Sequence, residues 1–487
     1  MNKRGEINSN INSVNFYITT TLAYVNADPH IGFAMEITRA DIIARYKKLL
    51  GFDVFFNTGT DEHGLKIYRK ALESGQDPHK YASDMAEKFK DLIKILNLSE
   101  DVNFIRTTDE RHKKSAQEFW KICDKNGFIY KKNYKIKYCV GCELEKTESE
   151  LEEGRCPLHP NQNIEIIDEE NYFFAFSEFQ KSLLELYENN PDFIIPSSRF
   201  KEIKAFVGRG LEDFSVSRLK SKMPWGIPVP NDSEHVMYVW FDALVNYVSA
   251  VGWPEDADKF NKWWPVTQYC GKDNLRQQAA MWQAMLLAAG LSPSRQIIVN
   301  GFITSGGQKM SKSLGNVINP ASVVSEYGAD ALRYYFAREL NPFEDGDFTM
   351  EKFKAAYNGN LANGLGNLTS RIIKMSETYL KKSADADDAF EFPKEFSEYL
   401  EKFELNKAVD FIWRKIGEMD SYIQKNQPFK VVKKNRKEGE KMIVHLVGGL
   451  SDVANLLSIF MPNASENIKK AIKENKMLEK NLFPRKE

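Results

Sequence analysis

The sequence predicts an α/β protein with a parallel β-sheet, a small insertion that carries metal-ligand residues, and a helical end. Three observations lead to this fold class. A strand–loop–helix–strand pattern begins near Asn15. Residues 126–225 then consist of short segments that contain cysteines, a histidine and clusters of charged residues. From Glu351 onward we recognise only long amphipathic helical runs. A sheet with helices followed by helices alone is typical of layered α/β domains joined to a helical bundle.

Length and composition limit the class of protein. A chain of 487 residues is too long for one core and should form two to four domains. The 42% hydrophobic and 28% charged residues are typical of a globular protein. A net charge of -1 gives no overall attraction to nucleic acid or membrane, so such a partner would need a local basic patch. Because the N-terminus lacks a signal-peptide core and no long apolar run occurs, we expect a cytoplasmic protein without a membrane partner.

The first βαβ unit can be followed along the sequence. "VNFYITT" is rich in strand-forming residues, "IGFAMEITRADIIARYKKLL" has helical periodicity, and "FDVFFNTGT" is the next buried strand. Asp28 and Pro29 suit the N-cap and first position of the helix, and Gly51 suits the position beyond its end. A βαβ unit predicts a parallel sheet that binds ligands at the carboxyl ends of its strands. The pattern returns in "HVMYVWFDALVNYV" and "RQIIVNGFI".

One cysteine pattern predicts a metal site. Two residues separate Cys139 from Cys142, and after thirteen further residues Cys156 and His159 repeat this spacing. Two close ligand pairs can surround one tetrahedral ion, and three thiolates with one imidazole describe a closed structural Zn²⁺ site. The alternative is a loop with unrelated cysteines. The two other cysteines, Cys123 and Cys270, are expected to be buried small hydrophobic residues.

Two short segments are candidates for phosphate binding. In "GGQKMSKSLGN" the paired glycines give a loop freedom, and Lys309 and Lys312 could bring two cations to one polyanion. Lysines in a loop are more often solvated surface. In "NADPHIGFA", His30 lies where a helix is predicted to begin, a position that favours anions.

"PHIGF" and "KMSKS" together resemble the signatures of class I aminoacyl-tRNA synthetases, and the order of further segments resembles the methionyl-tRNA synthetase family. These segments are "TTTLAYVNADPHIG", "FNTGTDEHG", "YCVGCELEK", "EDFSVSR", "WGIPVP", "YVWFDALVNY", "GKDN", "GADALRYY" and "GNLTSR". Each is weak alone, but the ordered set covers nearly the whole chain. The resemblance implies ATP-dependent ligation of methionine to tRNA(Met) through a methionyl-adenylate, with release of AMP and pyrophosphate and with Mg²⁺ accompanying ATP.

The resemblance assigns ATP-binding roles to five residues. His30 would donate a hydrogen bond to a phosphate oxygen at the helix N-terminus, although a histidine there could equally cap the helix. Gly32, which lacks Cβ, would let ATP approach closely. Lys309 and Lys312 would hold the pyrophosphate as charge develops, with the heavier catalytic role on Lys312. Asp273 of "GKDN" would contact the ribose, unless it is only a helix N-cap.

The resemblance also implies a methionine site. A carboxylate near a strand end would pair with the substrate ammonium, and aromatic rings suit a thioether. Without the resemblance, the acidic pair in "GTDEHG" would be a solvated turn and each aromatic residue a core residue. The residues so assigned are Asp61 for the ammonium and Leu22, Tyr24, Trp240, Tyr247 and Gln278 for the side-chain pocket.

The sequence departs from the family pattern at four positions. Phe33 replaces a second histidine that would help to hold the triphosphate. Gln278 stands where many members have histidine, Asn274 replaces an apolar residue, and Leu244 replaces a frequent proline. A glutamine amide can still bond a tyrosine hydroxyl, so we expect the pocket to persist with its selectivity altered.

The helical end resembles the anticodon-binding bundle of the family. Asn367 and Arg371 of "GNLTSR" are one helical turn apart and can face one ligand. "KNQPFKVVKKNRK" holds six basic and no acidic residues around Phe429, which stands where the family usually has tryptophan. A base stacked on an aromatic ring beside lysines is a common mode of single-strand binding, whereas the alternative is a solvated helix face. Residues 351–487 carry 25 Lys and Arg against 20 Asp and Glu, a charge of +5.

The implied domain plan has six parts. They are a polar leader (1–14), the first half of a Rossmann-like catalytic domain (15–125), an inserted connective domain with the zinc knuckle (126–225), the second catalytic half (226–320), a linking segment (321–355) and the helical anticodon-binding domain (356–487). Because no appended dimerising domain follows in the sequence, we expect a monomer.

Three other functions compete with this hypothesis. A branched-chain synthetase is disfavoured because the insertion leaves no space for a large editing domain. A catalytically silent tRNA-binding relative would explain Phe33, Asn274 and Gln278. A nucleotidyltransferase with the same first domain would not need the helical end.

Overall fold

The computed structural model describes residues 14–142, 144–146, 148–310, 316–380 and 390–487. Apart from Val14, the predicted polar leader lies outside the described residues. The chain forms two compact units. The first comprises the residues up to Asp28, Lys47–Asp91 and Asp101–Val299, and the second comprises Pro29–Tyr46, Leu92–Glu100 and Asn300–Glu487.

The strands are numbered in chain order. They are β1 Asn15–Thr19, β2 Ala23–Tyr24, β3 Asp53–Asp61, β4 Asn103–Arg106, β5 Ile129–Cys139, β6 Leu144–Lys146, β7 Glu165–Phe174, β8 Ile194–Ile195, β9 Phe214–Ser215, β10 Ser217–Leu219, β11 Pro228–Val229, β12 Asp232–Met237, β13 Thr267–Gly271, β14 Gln296–Asn300, β15 Ile303–Ser305, β16 Gln308–Lys309 and β17 Gly346–Asp347.

The α-helices are numbered in the same way. They are α1 Ile31–Leu49, α2 Leu65–Glu73, α3 Pro78–Ile95, α4 Glu110–Lys125, α5 Gln180–Asn189, α6 Ser197–Gly208, α7 Val239–Leu244, α8 Asn246–Ser249, α9 Ala257–Trp263, α10 Trp282–Ala288, α11 Pro320–Tyr327, α12 Ala329–Arg338, α13 Met350–Ala356, α14 Asn367–Tyr379, α15 Lys394–Glu401, α16 Leu405–Asn426, α17 Pro428–Lys434, α18 Arg436–Leu457 and α19 Pro462–Glu474.

A seven-stranded sheet forms the centre of the first unit. Its order is β2-β3-β1-β13-β14-β8, and β4 also pairs with β3. β3 pairs in parallel with β1, β2 and β4, and β1 pairs in parallel with β13. β1 is buried after its first residue, as expected for a strand covered on both faces. The predicted α/β class with a parallel sheet is confirmed.

The C-terminal end of α1 agrees with the prediction. Gly51 has a φ of 87°, which favours glycine. The Gly51 N–H donates to the Lys48 carbonyl (2.9 Å), and the Phe52 N–H donates to the Lys47 carbonyl (3.1 Å). These two bonds form a Schellman closure that satisfies carbonyls at the helix end.

The predicted N-cap at Asp28 is wrong. The helix begins at Ile31, and the Ile31 N–H donates to the carbonyl of Ile318 (3.1 Å). The Asp28 carboxylate instead accepts a hydrogen bond from Lys88 (2.7 Å). Two tertiary contacts from distant parts of the chain therefore shift the helix start, which local sequence could not show.

Two antiparallel sheets follow α4. One has the order β6-β5-β7-β9, and the other has the order β10-β12-β11. β5 and β7 pair continuously from Ile129 opposite Phe174 to Tyr138 opposite Glu165. β5 ends at Cys139, directly after this long ladder. The ladder therefore fixes the start of the cysteine-rich loop.

The second unit is mainly helical. The described elements after β17 are helices, which confirms the predicted helical end. A π-helical stretch, Tyr357–Gly366, continues directly into α14. The fully buried residues Ile372, Leu446, Leu450 and Ile468 form part of the core of this region. Among the described residues, we find no helix long and apolar enough to cross a membrane.

Candidate active site

Four neighbouring strands bring predicted ligand-binding residues to one edge of the parallel sheet. β3 ends at Asp61, and Tyr24 lies opposite Asp61 in the ladder between β2 and β3. β1 ends shortly before Leu22, and β13 leads into a short 3₁₀-helix, Lys272–Asn274, that contains Asp273. Because the carboxyl ends of parallel strands lie at the same edge, Asp61, Tyr24 and Asp273 all lie at the edge where such sheets bind ligands.

Tyr247 and Gln278 form a buried polar pair. The Gln278 amide donates to the Tyr247 hydroxyl (2.7 Å), and its carbonyl accepts from the Gln268 amide (2.8 Å). Gln268 in turn accepts from Ser294 (2.5 Å). Gln278 lies in a π-helical turn, Gln277–Met281, a local winding often found at functional sites. This chain of bonds fixes the orientation of the Gln278 amide.

The other predicted pocket residues are apolar or aromatic. Leu22 is buried and packs with Ile105 and Ala250. Leu244, at the position of a frequent proline, ends α7 and is buried. Trp240 is half-buried on α7, and its buried indole N–H has no hydrogen-bond partner in the described part of the chain. An unpaired buried donor of this kind is suited to a ligand acceptor.

A buried histidine–carboxylate cluster was not predicted. Asp242 accepts from His63 Nδ1 (2.6 Å) and from His112 Nε2 (2.8 Å), and His112 Nδ1 contacts the Ser249 hydroxyl (3.0 Å). Burial alone would raise the pKa of Asp242, but the two histidines outweigh it and lower the pKa. The cluster joins the segment after Asp61 to the helix that carries Trp240. A signal existed, because His63 lies in "GTDEHG" and Asp242 in "YVWFDALVNY".

The "PHIGF" segment orients one imidazole. The Gly32 N–H donates to His30 Nδ1 (3.1 Å), so a neutral ring carries its proton on Nε2, which can donate to an anion. A Cβ on Gly32 would lie 3.0 Å from two atoms of this ring, so glycine permits the close approach. Desolvation lowers the pKa of His30, although its side chain keeps contact with solvent. Phe33 follows in the first turn of α1 and is half-buried.

The "KMSKS" segment begins in the second strand of a small β-hairpin. β15 pairs with β16 in antiparallel fashion, with Thr304 opposite Lys309. Gly306 and Gly307 form the turn. Lys312, the other predicted phosphate-binding lysine, lies outside the described residues.

The four predicted metal ligands come together. Their ligand atoms all lie within 4.8 Å of one another, and His159 Nδ1 is 3.2 Å from Cys142 Sγ and 3.8 Å from Cys139 Sγ. Tetrahedral Zn²⁺ with bonds of about 2.3 Å requires ligand separations of roughly 3.8 Å. A Cβ on Gly141 would lie 2.4 Å from the His159 ring, so glycine is required for this approach. The residues therefore fit a metal ion.

Two predicted anticodon-binding residues line one cavity in the second unit. Arg371, which pairs with Asp420, and Phe429, whose ring is 38% exposed, both line a cavity of about 480 Å³. Asn367 is exposed one helical turn before Arg371. The lining residues are Ser370, Arg371, Lys374, Met375, Thr378, Tyr379, Ile423, Phe429 and Met477.

Comparisons with known proteins agree with this arrangement. A family model described as "tRNA synthetases class I (M)" matches residues 16–163 and 142–373. A methionine–tRNA ligase of Thermotoga maritima is 40% identical over 471 residues, which cover 93% of this chain and 74% of the relative. A methionine–tRNA ligase of a Nostoc species is 42% identical over 473 residues, which cover 93% of this chain and 89% of the relative.

Solved structures give the same result. The methionyl-tRNA synthetase of Mycobacterium tuberculosis in complex with methionyl-adenylate is 32% identical and has a TM-score of 0.88. The match covers 97% of this chain and all of that structure. Sequence and structural similarity of this extent, over a chain with the site geometry described above, are sufficient to assign the family. The chain belongs to the methionyl-tRNA synthetase family of class I aminoacyl-tRNA synthetases.

Proposed function

We propose that the protein ligates methionine to tRNA(Met) in two steps. The methionine carboxylate attacks the α-phosphorus of ATP and pyrophosphate leaves, which gives methionyl-adenylate. A hydroxyl of the 3′-terminal ribose of tRNA then takes the methionyl group, and AMP is released. The observation that carries the proposal is the location of Asp61, Tyr24 and Asp273 at the same carboxyl edge of the sheet, in a chain whose relatives are methionine–tRNA ligases.

Methionine recognition is assigned to the first unit. The Asp61 carboxylate pairs with the substrate ammonium, and the side chain enters a pocket formed by Leu22, Tyr24, Trp240 and Tyr247. Sulfur–aromatic contacts are worth about 0.3–1.5 kcal/mol each, which favours a thioether in such a pocket. The bond from Gln278 to Tyr247 supports this assignment, because it fixes the phenol in one orientation.

ATP activation needs positioning and charge stabilisation more than a nucleophile. We assign His30 to a phosphate oxygen, because its Nε2–H is the free donor when Nδ1 accepts from Gly32. Gly32 keeps the helix start open to the nucleotide. Lys309 and Lys312 stabilise the departing pyrophosphate, which Mg²⁺ accompanies, and Asp273 binds the ribose.

We assign one structural Zn²⁺ to Cys139, Cys142, Cys156 and His159. Bound there, the ion would cross-link two loop segments and leave no open position for chemistry. The mutual distances of the ligand atoms and the tight approach of His159 to Gly141 support this assignment.

tRNA binding is assigned to the helical end, with Asn367, Arg371 and Phe429 at the anticodon. The cavity shared by Arg371 and Phe429 supports this role. The domain boundaries given by the sequence stay predictions, as does a monomeric state, which size-exclusion chromatography with light scattering would measure. Protein synthesis implies the cytoplasm as the site of action.

An exchange assay tests the function directly. We expect methionine, among the twenty amino acids, to drive exchange of pyrophosphate into ATP, and we expect charging of a tRNA with a CAU anticodon. Exchange driven by leucine, isoleucine or valine instead would refute the methionine assignment. Binding of tRNA without any amino-acid-dependent exchange would favour the catalytically silent relative.

A further inference from the structure

The turn of the "KMSKS" hairpin is held by a distant carboxylate. Gly306 and Gly307 have φ values of 63° and 73°, the two left-handed residues that a type I′ turn requires. Asp347 lies 40 residues further along the chain than Gly307, and its Oδ1 accepts the Gly307 N–H (2.8 Å). The turn is therefore fixed from outside the hairpin.

Asp347 has two further partners. Its Oδ1 accepts from the Thr304 hydroxyl (3.0 Å), and its Oδ2 accepts from the Lys352 ammonium (2.6 Å). β17, which carries Asp347, also pairs in parallel with β15, with Thr304 opposite Asp347. The bond from the Gly307 N–H, as the largest cause, lowers the pKa of Asp347 to about 2, so the group is an anion at neutral pH.

The chain before Asp347 supports the base of the hairpin. The Phe302 N–H donates to Asp345 (3.0 Å), and a Cβ on Gly301 would lie 1.9 Å from the Glu344 carbonyl oxygen. The segment from Glu344 to Asp347 therefore follows the hairpin from its base to its turn. Within this segment, Asp347 makes the contact that is closest in sequence to "KMSKS", because its partner Gly307 lies two residues before Lys309.

We propose that Asp347 is a positioning residue for ATP activation. Two consecutive glycines have many accessible conformations, and an external acceptor on the Gly307 N–H selects one of them. The chain runs from this turn through β16 to Lys309, so the bond determines where the signature segment starts. A displacement of about 1 Å in a catalytic group can cost ~100-fold in rate. The inference rests on the proposed function, because it assigns the hairpin a role in that reaction.

Two substitutions at Asp347 separate its contacts. Asp347→Ala removes all acceptors, and we expect kcat of methionine-dependent pyrophosphate exchange to fall by ~10-fold or more, with a raised KM for ATP. The Kd for methionine without ATP, followed by intrinsic tryptophan fluorescence, should stay unchanged. Asp347→Asn keeps one oxygen acceptor for the Gly307 N–H and loses only the ion pair with Lys352, so it should recover most of the rate.

A comparable carboxylate elsewhere provides the control. Asp213 accepts the N–H (2.9 Å) and hydroxyl (2.7 Å) of Ser177 and the hydroxyl of Tyr130 (2.6 Å). Asp213→Ala should lower thermal stability and leave kcat and both substrate affinities unchanged. The proposal is overturned if Asp347→Ala keeps the wild-type kcat and KM for ATP, or if its methionine affinity falls together with its rate. Failure of the proposed function differs from both results, because the wild-type protein itself would then show no exchange.

Discussion

At the scale of single residues, the candidate active site contains a buried polar pair, Gln278 and Tyr247, at one of the four positions where the sequence departs from the family pattern. At Gln278 the family resemblance implies histidine, and the glutamine amide donates to Tyr247 and accepts from Gln268. Glutamine has both a donor and an acceptor, so it can bridge these groups at any pH, whereas histidine changes charge near neutral pH. The bond from Gln278 to Tyr247 therefore does not depend on a group that titrates near neutral pH.

The family resemblance implies a hydrogen-bond donor to the triphosphate at position 33. Phe33 cannot take this role, because a phenyl ring cannot donate a hydrogen bond to a phosphate. We predict that Phe33→His increases kcat of pyrophosphate exchange by up to ~10-fold, since a second donor beside His30 would stabilise developing phosphate charge. Steady-state exchange rates at saturating ATP measure the effect. Phe33→Leu, which adds no donor, should show no gain. A rate for Phe33→His at or below that of the wild-type protein would mean that the surroundings have adapted to the aromatic ring.

The meeting of the four candidate metal ligands could be predicted from sequence, whereas residues defined by tertiary contacts could not. The spacing of Cys139 and Cys142 sufficed to predict their meeting with Cys156 and His159. The role of Asp347 could not be predicted, because its bond to the hairpin turn spans 40 residues and "DGDF" matches no binding or catalytic motif that we recognise.

At the scale of elements, the cysteine-rich loop is linked to the helix that follows the predicted ammonium-binding residue. Lys66, on α2, donates to the carbonyl of Gly141 (3.2 Å), which lies between the first two metal ligands. Arg69, also on α2, pairs with Glu165 on β7 (3.3 Å). Because α2 begins four residues after Asp61, these contacts connect the cysteine-rich loop to the segment that carries the predicted ammonium-binding residue.

Removal of the metal should therefore lower both stability and methionine affinity. We predict that chelation, or Cys139→Ser, lowers the midpoint of thermal unfolding and raises KM for methionine, because three remaining ligands cannot close the tetrahedron. Zinc content by atomic absorption and thermal unfolding measure the effect. Cys123→Ser changes a buried cysteine outside the cluster and should keep the metal. A Cys139→Ser protein that stays folded and fully loaded with zinc would contradict the assignment.

A buried carboxyl joins α12 to α19 and makes stability depend on pH. Asp330 accepts the Ala464 N–H at the start of α19 (2.6 Å). Burial raises the pKa of Asp330 to about 6, and the backbone N–H groups and the cations of Arg333 and Arg45 only partly oppose this. Its usual pKa is about 3.9, so the folded chain binds more protons than the unfolded chain between pH 4 and 6.

Stability should therefore fall as pH rises through this window and level off above it. We predict a loss of about 3 kcal/mol at most from Asp330 between about pH 4 and 6. Asp330→Asn keeps an acceptor for the Ala464 N–H and should remove this part of the slope in urea unfolding curves. Asp410→Asn, which changes an exposed partner of Arg338, should keep the slope. An unchanged slope in Asp330→Asn would show that another group is responsible.

At the scale of the whole molecule, the residues that are predicted to bind the substrates belong to both units. The first unit holds the predicted methionine pocket, and the second holds His30, the "KMSKS" hairpin and the helical end. The +5 charge of residues 351–487 lies on the part that is assigned to tRNA. Sequence resemblance places His30 together with Asp61 in residues 15–125 and assigns tRNA binding to the helical end. The cavity shared by Arg371 and Phe429 depends on the packing of α14 against its neighbours and became visible only in the structure.

A substitution at Phe429 tests the assignment of tRNA binding to the helical end. Its exposed ring borders the cavity with Arg371, and the Lys430 ammonium lies 5.9 Å from the ring centre, an arrangement suited to a stacked base beside a phosphate. We predict that Phe429→Ala lowers kcat/KM for tRNA charging by ~5- to 150-fold, since stacking of one base is worth about 1–3 kcal/mol. Methionine-dependent pyrophosphate exchange, measured without tRNA, should stay at the wild-type rate.

Two further variants make the result specific to stacking. Phe429→Trp enlarges the stacking face and should keep or improve charging, because tryptophan retains the aromatic plane and adds area. Val444→Ala truncates another exposed apolar side chain, on α18 and not part of the cavity lining, and should leave charging unchanged. If Phe429→Ala lowers exchange and charging in parallel, the ring stabilises the fold and does not read the anticodon. If it weakens charging of a tRNA with a CAU anticodon and of one with an altered anticodon by the same factor, the ring binds RNA without contributing to its selection.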